Sequence, residues 1–220
     1  LNGFFPEKIA IIGAGPAGLS CAFYLAEKGY SPTIFEKNEK PGGMLQYGIP
    51  GFKLEKDVID AEIDIIKAMG VEIRCGVEVG KDVTIEQLRA EGYKAFYVAV
   101  GLQKALKLNI EGEELEGVIG GLDFLRAVNK NEQKPLEGNT IVIGGGNAAI
   151  DVARTALRMG SAKVDLYCLE KDEEMPTVVE EKEAGLADGV TYNNCWGPKR
   201  ILGENGKVTQ VKLQVMELGE

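Results

Sequence analysis

One stretch near the start of the chain, residues 8–36, constrains the fold more than any other. An apolar run from Lys8 to Ile12 is followed by glycines in the G-x-G-x-x-G pattern, at Gly13, Gly15 and Gly18, and then by a helical segment. A second apolar run ends at Glu36, about 20 residues beyond the glycines, where an acid binds ribose hydroxyls. This order predicts a strand, a tight turn and a helix whose N-terminus faces the pyrophosphate of a dinucleotide.

The same pattern occurs a second time near the middle of the chain. The run 140–143 leads into the G-x-G-x-x-A form at 144–149, and a helix then continues to Met159. The next strand, 164–169, is followed by Glu170. Two such copies predict an α/β protein with two Rossmann-like domains of the three-layer FAD/NAD(P)-binding type. Two bound dinucleotides are what a flavin reductase needs.

Between the two copies, residues 102–115 are polar and irregular, so we expect the domain boundary there and divide the chain into residues 1–103 and 104–220. The remaining segments predict further elements. These are helices at 57–69, 84–90, 122–128 and 180–188, a strand pair within 71–79, a buried strand at 93–100, and a small antiparallel sheet from 190 to 220.

Composition excludes several classes of function. A net charge of −9 argues against a nucleic acid partner, and no apolar run approaches the roughly 20 residues of a membrane span. The chain has no histidine, which excludes Ser-His-Asp and Cys-His catalysis and a His-ligated metal. We therefore name no catalytic side chain and no metal site, and we expect a bound redox cofactor to supply the chemistry.

The four cysteines form no C-x-x-C motif, so a redox dithiol, a zinc site and an iron–sulfur ligand set are not expected. Cys21 and Cys168 fall in predicted elements and are expected to be buried, unreactive thiols. Free thiols and the absence of a signal peptide before the first strand fit a cytoplasmic location. The abrupt start without an initiator Met suggests a piece of a longer protein.

A glycine- and proline-rich segment after Glu36 carries a family resemblance. Pro41 to Met44 and Tyr47 to Leu54 resemble the flavin-binding block of the glutamate synthase small (β) subunit family, which includes the flavin and nicotinamide domains of dihydropyrimidine dehydrogenase. The resemblance implies FAD in the first domain. With the glycine motif, it gives these FAD-binding residues: Gly13, Gly15, Pro16, Ala17, Gly18, Glu36, Lys37, Gly43, Met44, Leu45, Ile49, Val79 and Gly101.

The second helix and the segment that continues after it resemble the nicotinamide domain of the same family. The residues expected to bind the nicotinamide nucleotide are Gly144, Gly146, Asn147, Ala148, Asp151, Glu170 and Lys171. In NADPH-using members an arginine pair stands where this chain has Leu169 and Glu170. A carboxylate accepts hydrogen bonds from ribose hydroxyls and repels a 2′-phosphate, so we predict NADH over NADPH. The alternative is that Glu170 faces solvent and Lys171 binds the phosphate.

The chain departs from the family pattern in two places. Val100 stands where the family usually has Thr in an Ala-Thr-Gly sequence. The family closes its flavin domain with a strand that ends in Gly-Asp, and this sequence contains no Gly-Asp dipeptide. The first domain is therefore expected to be incomplete, which puts FAD binding by these residues in question.

The resemblance implies hydride transfer from the nicotinamide to the flavin, and then electron transfer to an iron–sulfur protein or domain, possibly a large catalytic subunit. Two alternatives remain open at this point. One is a flavin reductase with a small-molecule acceptor. The other is a module that binds nucleotides without turnover.

Overall fold

The computed structural model describes residues 5–216. The chain divides into two compact units between Gln103 and Lys104, and each unit contains a parallel sheet. The predicted α/β class is therefore confirmed. In residues 5–216, no helix combines the length and the apolar character that a membrane crossing requires.

The first unit is built on a four-stranded parallel sheet in the order β3-β2-β1-β4. Ile11 lies beside Ile34 on one side and Tyr97 on the other. The strands are β1 (Lys8–Ile12), β2 (Thr33–Glu36), β3 (Glu72–Cys75) and β4 (Tyr93–Val98), and the helices are α1 (Pro16–Glu27), α2 (Met44–Tyr47), α3 (Lys56–Ala68) and α4 (Ile85–Ala90).

Both faces of this sheet are covered, as expected for parallel strands. Ile11 and Ile34 point to one face and form a core with Ile59 and Ile63 of α3 and with apolar residues of α1. Because successive side chains of a strand alternate between faces, the neighbours Ala10 and Phe35 pack on the other face, where they join Leu88 of α4 and Tyr93.

Two predictions for the first unit were wrong. The sequence predicts a buried strand at 93–100, but the strand ends at Val98. Its last residues are not buried, since Tyr97 is 43% exposed and Val98 is 66% exposed, and Val100 beyond it is 60% exposed. Among the described residues, β4 pairs with β1 alone and is an edge strand. Instead of the second strand expected within 71–79, the described residues have an isolated bridge between Val79 and Val83, which flank a turn where Asp82 N donates to Glu78 O at 2.8 Å.

The second unit has a three-stranded parallel sheet in the order β5-β6-β7 and a separate antiparallel hairpin. The sheet contains β5 (Asn139–Ile143), β6 (Lys163–Tyr167) and β7 (Thr191–Asn193), and the hairpin contains β8 (Trp196–Glu204) and β9 (Lys207–Val215). The helices are α5 (Gly121–Asn129), α6 (Asn147–Arg158) and α7 (Val179–Asp188), with a 3-10 turn at Asp172–Glu174. The core joins α5 and α6 to the sheet through Phe124, Leu125, Ile150, Val164 and Leu166.

One prediction for the second unit was wrong. The sequence predicts residues 191–193 to lie in the antiparallel sheet, but β7 extends the parallel sheet because it pairs with β6 in parallel. The antiparallel part begins at Trp196, and the predicted end at Glu220 lies outside the described residues.

Candidate functional site

The first glycine loop joins β1 to α1, and two of its glycines are required by the protein itself. Gly13 has φ +105°, and a Cβ on it would lie 2.3 Å from the carbonyl oxygen of Ala99. A Cβ on Gly18 would lie 1.9 Å from the carbonyl oxygen of Gly13. Any side chain at these positions would collide with backbone, so the tight turn and the close helix packing account for both glycines.

Gly15, between them, has a different environment. Its φ of −76° suits any residue. Within residues 5–216, the nearest heavy atom that a Cβ there would meet is Gly43 Cα, at 3.9 Å. The space above Gly15 is therefore open, at the N-terminus of a helix without a side-chain cap among the described residues. An open backbone at such a helix end is the cradle in which a pyrophosphate binds.

The segment that carries the family resemblance lies directly on this loop. Gly42 N donates to the carbonyl oxygen of Ala14 at 2.8 Å. Gly43 has φ +56°, and a Cβ on it would lie 2.8 Å from Gly15 Cα. Met44 and Leu45 follow in α2, half-buried. The fold therefore brings together the two sequence features that predicted a flavin site.

Glu36 is 4% exposed at the end of β2, and its carboxylate is held by the protein. Oε2 accepts from Ala14 N at 2.8 Å, while Oε1 accepts from Asn38 N at 2.8 Å and from Asn38 Nδ2 at 2.6 Å. A carboxylate can accept about four hydrogen bonds, so three of those are already used. Glu36 fastens the glycine loop to the turn after β2, and binding of a ribose hydroxyl stays a prediction.

The other residues predicted to bind FAD in the first unit differ in how exposed they are. Pro16 and Ala17 are exposed at the start of α1, and Ile49 is half-buried just after α2. Lys37 is exposed, and Gly101 is exposed with φ +69°. Val79 packs against the core formed by Ala10, Phe35, Leu88 and Tyr93.

The second glycine loop, between β5 and α6, repeats the geometry of the first. Gly144 N donates to the carbonyl oxygen of Tyr167 at 2.9 Å, as Gly13 N donates to that of Phe35 at 2.8 Å. Gly146 has φ −88°. In the described part of the chain, the nearest atom to a Cβ on Gly146 would be the carbonyl oxygen of Pro176, at 3.6 Å. This loop also offers an open backbone at a helix N-terminus.

Glu170 follows β6 and is half-buried, with its side chain turned towards the second loop. Its Oε2 would lie 2.9 Å from a Cβ on Gly145. The Glu170 carbonyl oxygen accepts from Cys195 N at 3.1 Å and from Asn194 Nδ2 at 3.3 Å, which fixes the backbone at this point. Lys171 is exposed. The carboxylate therefore lies on the second loop, and its binding of a ribose stays a prediction.

Sequence reasoning missed the segment that precedes α7. Asn147 Oδ1 accepts from Val178 N at 3.2 Å and from Thr177 Oγ1, so residues 177–178 are held beside the second loop. Ala148 is exposed at the start of α6, and Asp151, one turn further, is 8% exposed. A threonine and a backbone N–H that come from about 30 residues away leave no local signal in the sequence.

Cys168 lies beneath the second loop and is 2% exposed. Burial raises the pKa of its thiol, and the nearby charge of Glu170 raises it further. The burial predicted for Cys21 was wrong, because this residue is only half-buried in α1, although that partial burial still raises the pKa of its thiol. Both thiols are therefore protonated at neutral pH, which agrees with the unreactive role predicted for them.

Comparison with known proteins decides the family. The model of the pyridine nucleotide-disulphide oxidoreductase family matches residues 7–214. The chain belongs to this family. It is 42% identical over 217 residues to the NADP(+)-dependent formate dehydrogenase subunit beta of Moorella thermoacetica, covering 97% of this chain and 31% of that protein. It is 40% identical over 225 residues to the glutamate synthase [NADPH] small chain of Halomonas elongata, covering 97% of this chain and 47% of that protein.

These relatives confirm the predicted resemblance to the glutamate synthase small subunit. This member of the family spans about a third to a half of the length of the curated relatives it matches. Among solved structures, it resembles FprA, an oxidoreductase of Mycobacterium tuberculosis, with a TM-score of 0.83 and 22% identity over 98% of this chain and 65% of that one. That likeness confirms the FAD/NAD(P)-binding type of fold.

Proposed function

We propose that the chain is the nucleotide-binding part of a flavin-dependent NAD(P)H oxidoreductase, with FAD in residues 1–103 and the nicotinamide nucleotide in residues 104–220. The observation that carries the proposal is the pair of open glycines. Gly15 and Gly146 each lie at a helix N-terminus, and a Cβ there would meet no described atom closer than 3.9 Å and 3.6 Å, respectively. A bound pyrophosphate explains why glycine stands at both positions.

The protein's part in this reaction is to bind and orient. Bound FAD would accept a hydride from the nicotinamide and release electrons singly. The N-termini of α1 and α6 would hold the two pyrophosphates, and Gly43 would keep α2 against the first loop. Glu36 would keep that loop in its binding shape through its three hydrogen bonds.

An absorption spectrum tests this proposal. The purified protein is incubated with FAD, excess FAD is removed, and the spectrum is recorded before and after NADH or NADPH is added without oxygen. A flavin spectrum that bleaches supports the oxidoreductase. A protein that binds a nicotinamide nucleotide but retains no flavin would be the nucleotide-binding module without turnover.

We also infer a preference for NADH, supported by the Glu170 carboxylate against Gly145. A 2′-phosphate on the ribose would meet that negative charge. The two relatives above are named for NADP(+) and NADPH, so a preference for NADH would distinguish this chain from them. Replacing Glu170 and Lys171 by Arg should shift the ratio of kcat/KM values towards NADPH, whereas changing Lys207, which lies in β9 and pairs with Glu116 at 3.0 Å, should not. An unchanged ratio in the double variant would refute the assignment.

We propose an iron–sulfur protein or domain as the electron acceptor. Support comes from the relatives, which are named as a subunit beta and a small chain of larger enzymes. The test compares reduction of a [4Fe-4S] ferredoxin with reduction of a soluble quinone. Preferential reduction of the quinone would instead support the flavin reductase with a small-molecule acceptor.

A further inference from the structure

A lysine at the start of α3 is half-buried against α2. Lys56 Nζ donates to the carbonyl oxygen of Leu45 at 2.9 Å and to that of Ile49 at 2.6 Å. Loss of water around the ammonium group lowers the pKa of Lys56. The side chain therefore gives up part of its hydration for two specific contacts with the backbone.

The start of a helix is unfavourable for a cation unless other contacts offset the electrostatic cost. Lys56 is the first residue of α3, where the helix dipole presents partial positive charge. Leu45 is the second residue of α2, and Ile49 lies two residues beyond its end. A cation is stabilising there, because the last four carbonyl groups of a helix lack helical partners. The ammonium group caps α2 from a neighbouring helix.

The opposite end of α2 rests on the glycine loop. Gly43, immediately before α2, would place a Cβ 2.8 Å from Gly15 Cα, and Gly42 N donates to Ala14 O at 2.8 Å. A helix of four residues is not stable by itself, so its position depends on tertiary contacts. Gln46 and Tyr47 are buried, and the backbone of the helix is held by the glycine loop at one end and by Lys56 at the other.

We propose that Lys56 is a positioning residue for the cofactor loop: its ammonium group fixes α2, and α2 in turn holds Gly43 against Gly15. The consequence for FAD rests on the proposed function of the first unit, whereas the ordering of α2 does not. Loss of the ammonium group loosens residues 44–49, moves Gly43 from its place on the loop and weakens FAD binding, while the rest of the unit stays folded.

The test compares three variants in the full chain: Lys56→Met, Lys56→Arg and, as the control, Lys67→Met. Lys67 is in the last turn of the same helix, with its side chain 48% exposed and paired with Asp64 at 2.9 Å. Three quantities are measured: thermal unfolding, amide hydrogen exchange of the 44–49 peptide without FAD, and FAD affinity from quenching of flavin fluorescence.

For Lys56→Met we expect exchange at 44–49 to become faster, and FAD affinity to fall, by about tenfold or more each, without a comparable rise in exchange in the core strands. Lys56→Arg should restore most of the slow exchange at 44–49 and most of the FAD affinity, because a guanidinium also donates to carbonyl oxygens. Lys67→Met should match the wild type. A role confined to general stability would change exchange throughout the unit and would not be rescued selectively at 44–49.

Unchanged exchange and unchanged FAD affinity in Lys56→Met would overturn the proposal. A wild-type protein that takes up no FAD would refute the proposed function, and the exchange comparison would still decide whether Lys56 fixes α2. If Lys56→Met does not fold, Lys56→Gln, which keeps a donor without a charge, is measured with the same two criteria.

Discussion

Replacement of Gly15 by Ala separates a glycine needed for a ligand from a glycine needed for the fold. A methyl group at position 15 would have its nearest described contact at 3.9 Å, an ordinary van der Waals distance, and φ is −76°. The reduced freedom of the unfolded chain stabilises such a variant by about 0.4–1 kcal/mol. The poorer N-cap residue costs a similar amount, so we expect a net change within about 1 kcal/mol.

Gly13→Ala is the matched control in the same loop. Its Cβ would lie 2.3 Å from the Ala99 carbonyl oxygen, and its φ of +105° is strained for a residue with a side chain. The backbone conformation alone costs about 1–2 kcal/mol. With the collision added, we expect a loss of more than about 3 kcal/mol, well above that of an ordinary substitution.

The assay is thermal unfolding together with a FAD titration. A change within 1 kcal/mol shifts the unfolding midpoint of a chain of this size by about 2–4 °C at most, so Gly15→Ala should melt close to the wild type. Its FAD affinity should fall about tenfold or more, equivalent to about 1.4 kcal/mol, because the methyl group occupies the space of the pyrophosphate. Gly146→Ala should weaken the nicotinamide nucleotide instead.

Two results would refute this reasoning. If Gly15→Ala binds FAD as tightly as the wild type, the open space above Gly15 is not where the ligand lies. If Gly15→Ala is destabilised as strongly as Gly13→Ala, then position 15 has a structural requirement that its contacts do not reveal, and its glycine says nothing about a ligand.

Two further predictions concern carboxylates that accept several hydrogen bonds. The hydrogen bond from Arg158 is the main cause that lowers the pKa of Asp188, so its stabilisation is present above the ordinary value for Asp and is lost as pH falls through the lowered value. Urea unfolding should show Asp188→Asn to be less stable by about 1–2 kcal/mol at pH 7, and the difference should disappear in strong acid. Glu36→Gln turns an NH₂ group towards backbone donors, so it should destabilise the first unit by about 1–3 kcal/mol and speed amide exchange in the glycine loop. Amide exchange at the wild-type rate would contradict the role of Glu36 in holding that loop.

The elements that could be predicted from sequence are those with local signals. The glycines at 13 and 144 mark turns, and the helix predicted at 84–90 begins with a capping box, in which Gln87 N donates to Thr84 Oγ1 at 3.2 Å. The errors concern pairing between distant segments. The apolar sequence of β4 does not reveal that this strand lies at the edge of the described sheet, beside β1 alone. The three residues of β7 are too few to indicate that they pair with β6 in parallel.

The sequence names residue types for the candidate site but does not reveal the contacts that those residues make. The sequence presents Gly13 and Gly15 as equivalent members of one motif, yet the structure shows that Ala99 blocks a side chain only at the first. Lys56 looks like an ordinary charged residue at a helix start, because nothing local reveals that it reaches the carbonyl groups of Leu45 and Ile49. Such roles depend on tertiary approach and have no periodicity or spacing to read.

The two copies of the motif use their acids differently, and this difference predicts where cofactor choice can be changed. Glu36 accepts three hydrogen bonds from Ala14 and Asn38, so most of its capacity serves the loop. Within residues 5–216, the hydrogen bonds described for Glu170 are accepted by its backbone oxygen. Its carboxylate instead lies against Gly145. Substitution of Glu36 should therefore disturb the fold of its loop before it changes which cofactor is bound. With the proposed ribose beside it, substitution of Glu170 should alter the charge that the ribose meets while the loop beneath keeps its shape. We therefore predict that selectivity between nucleotides is adjustable at the second copy and not at the first.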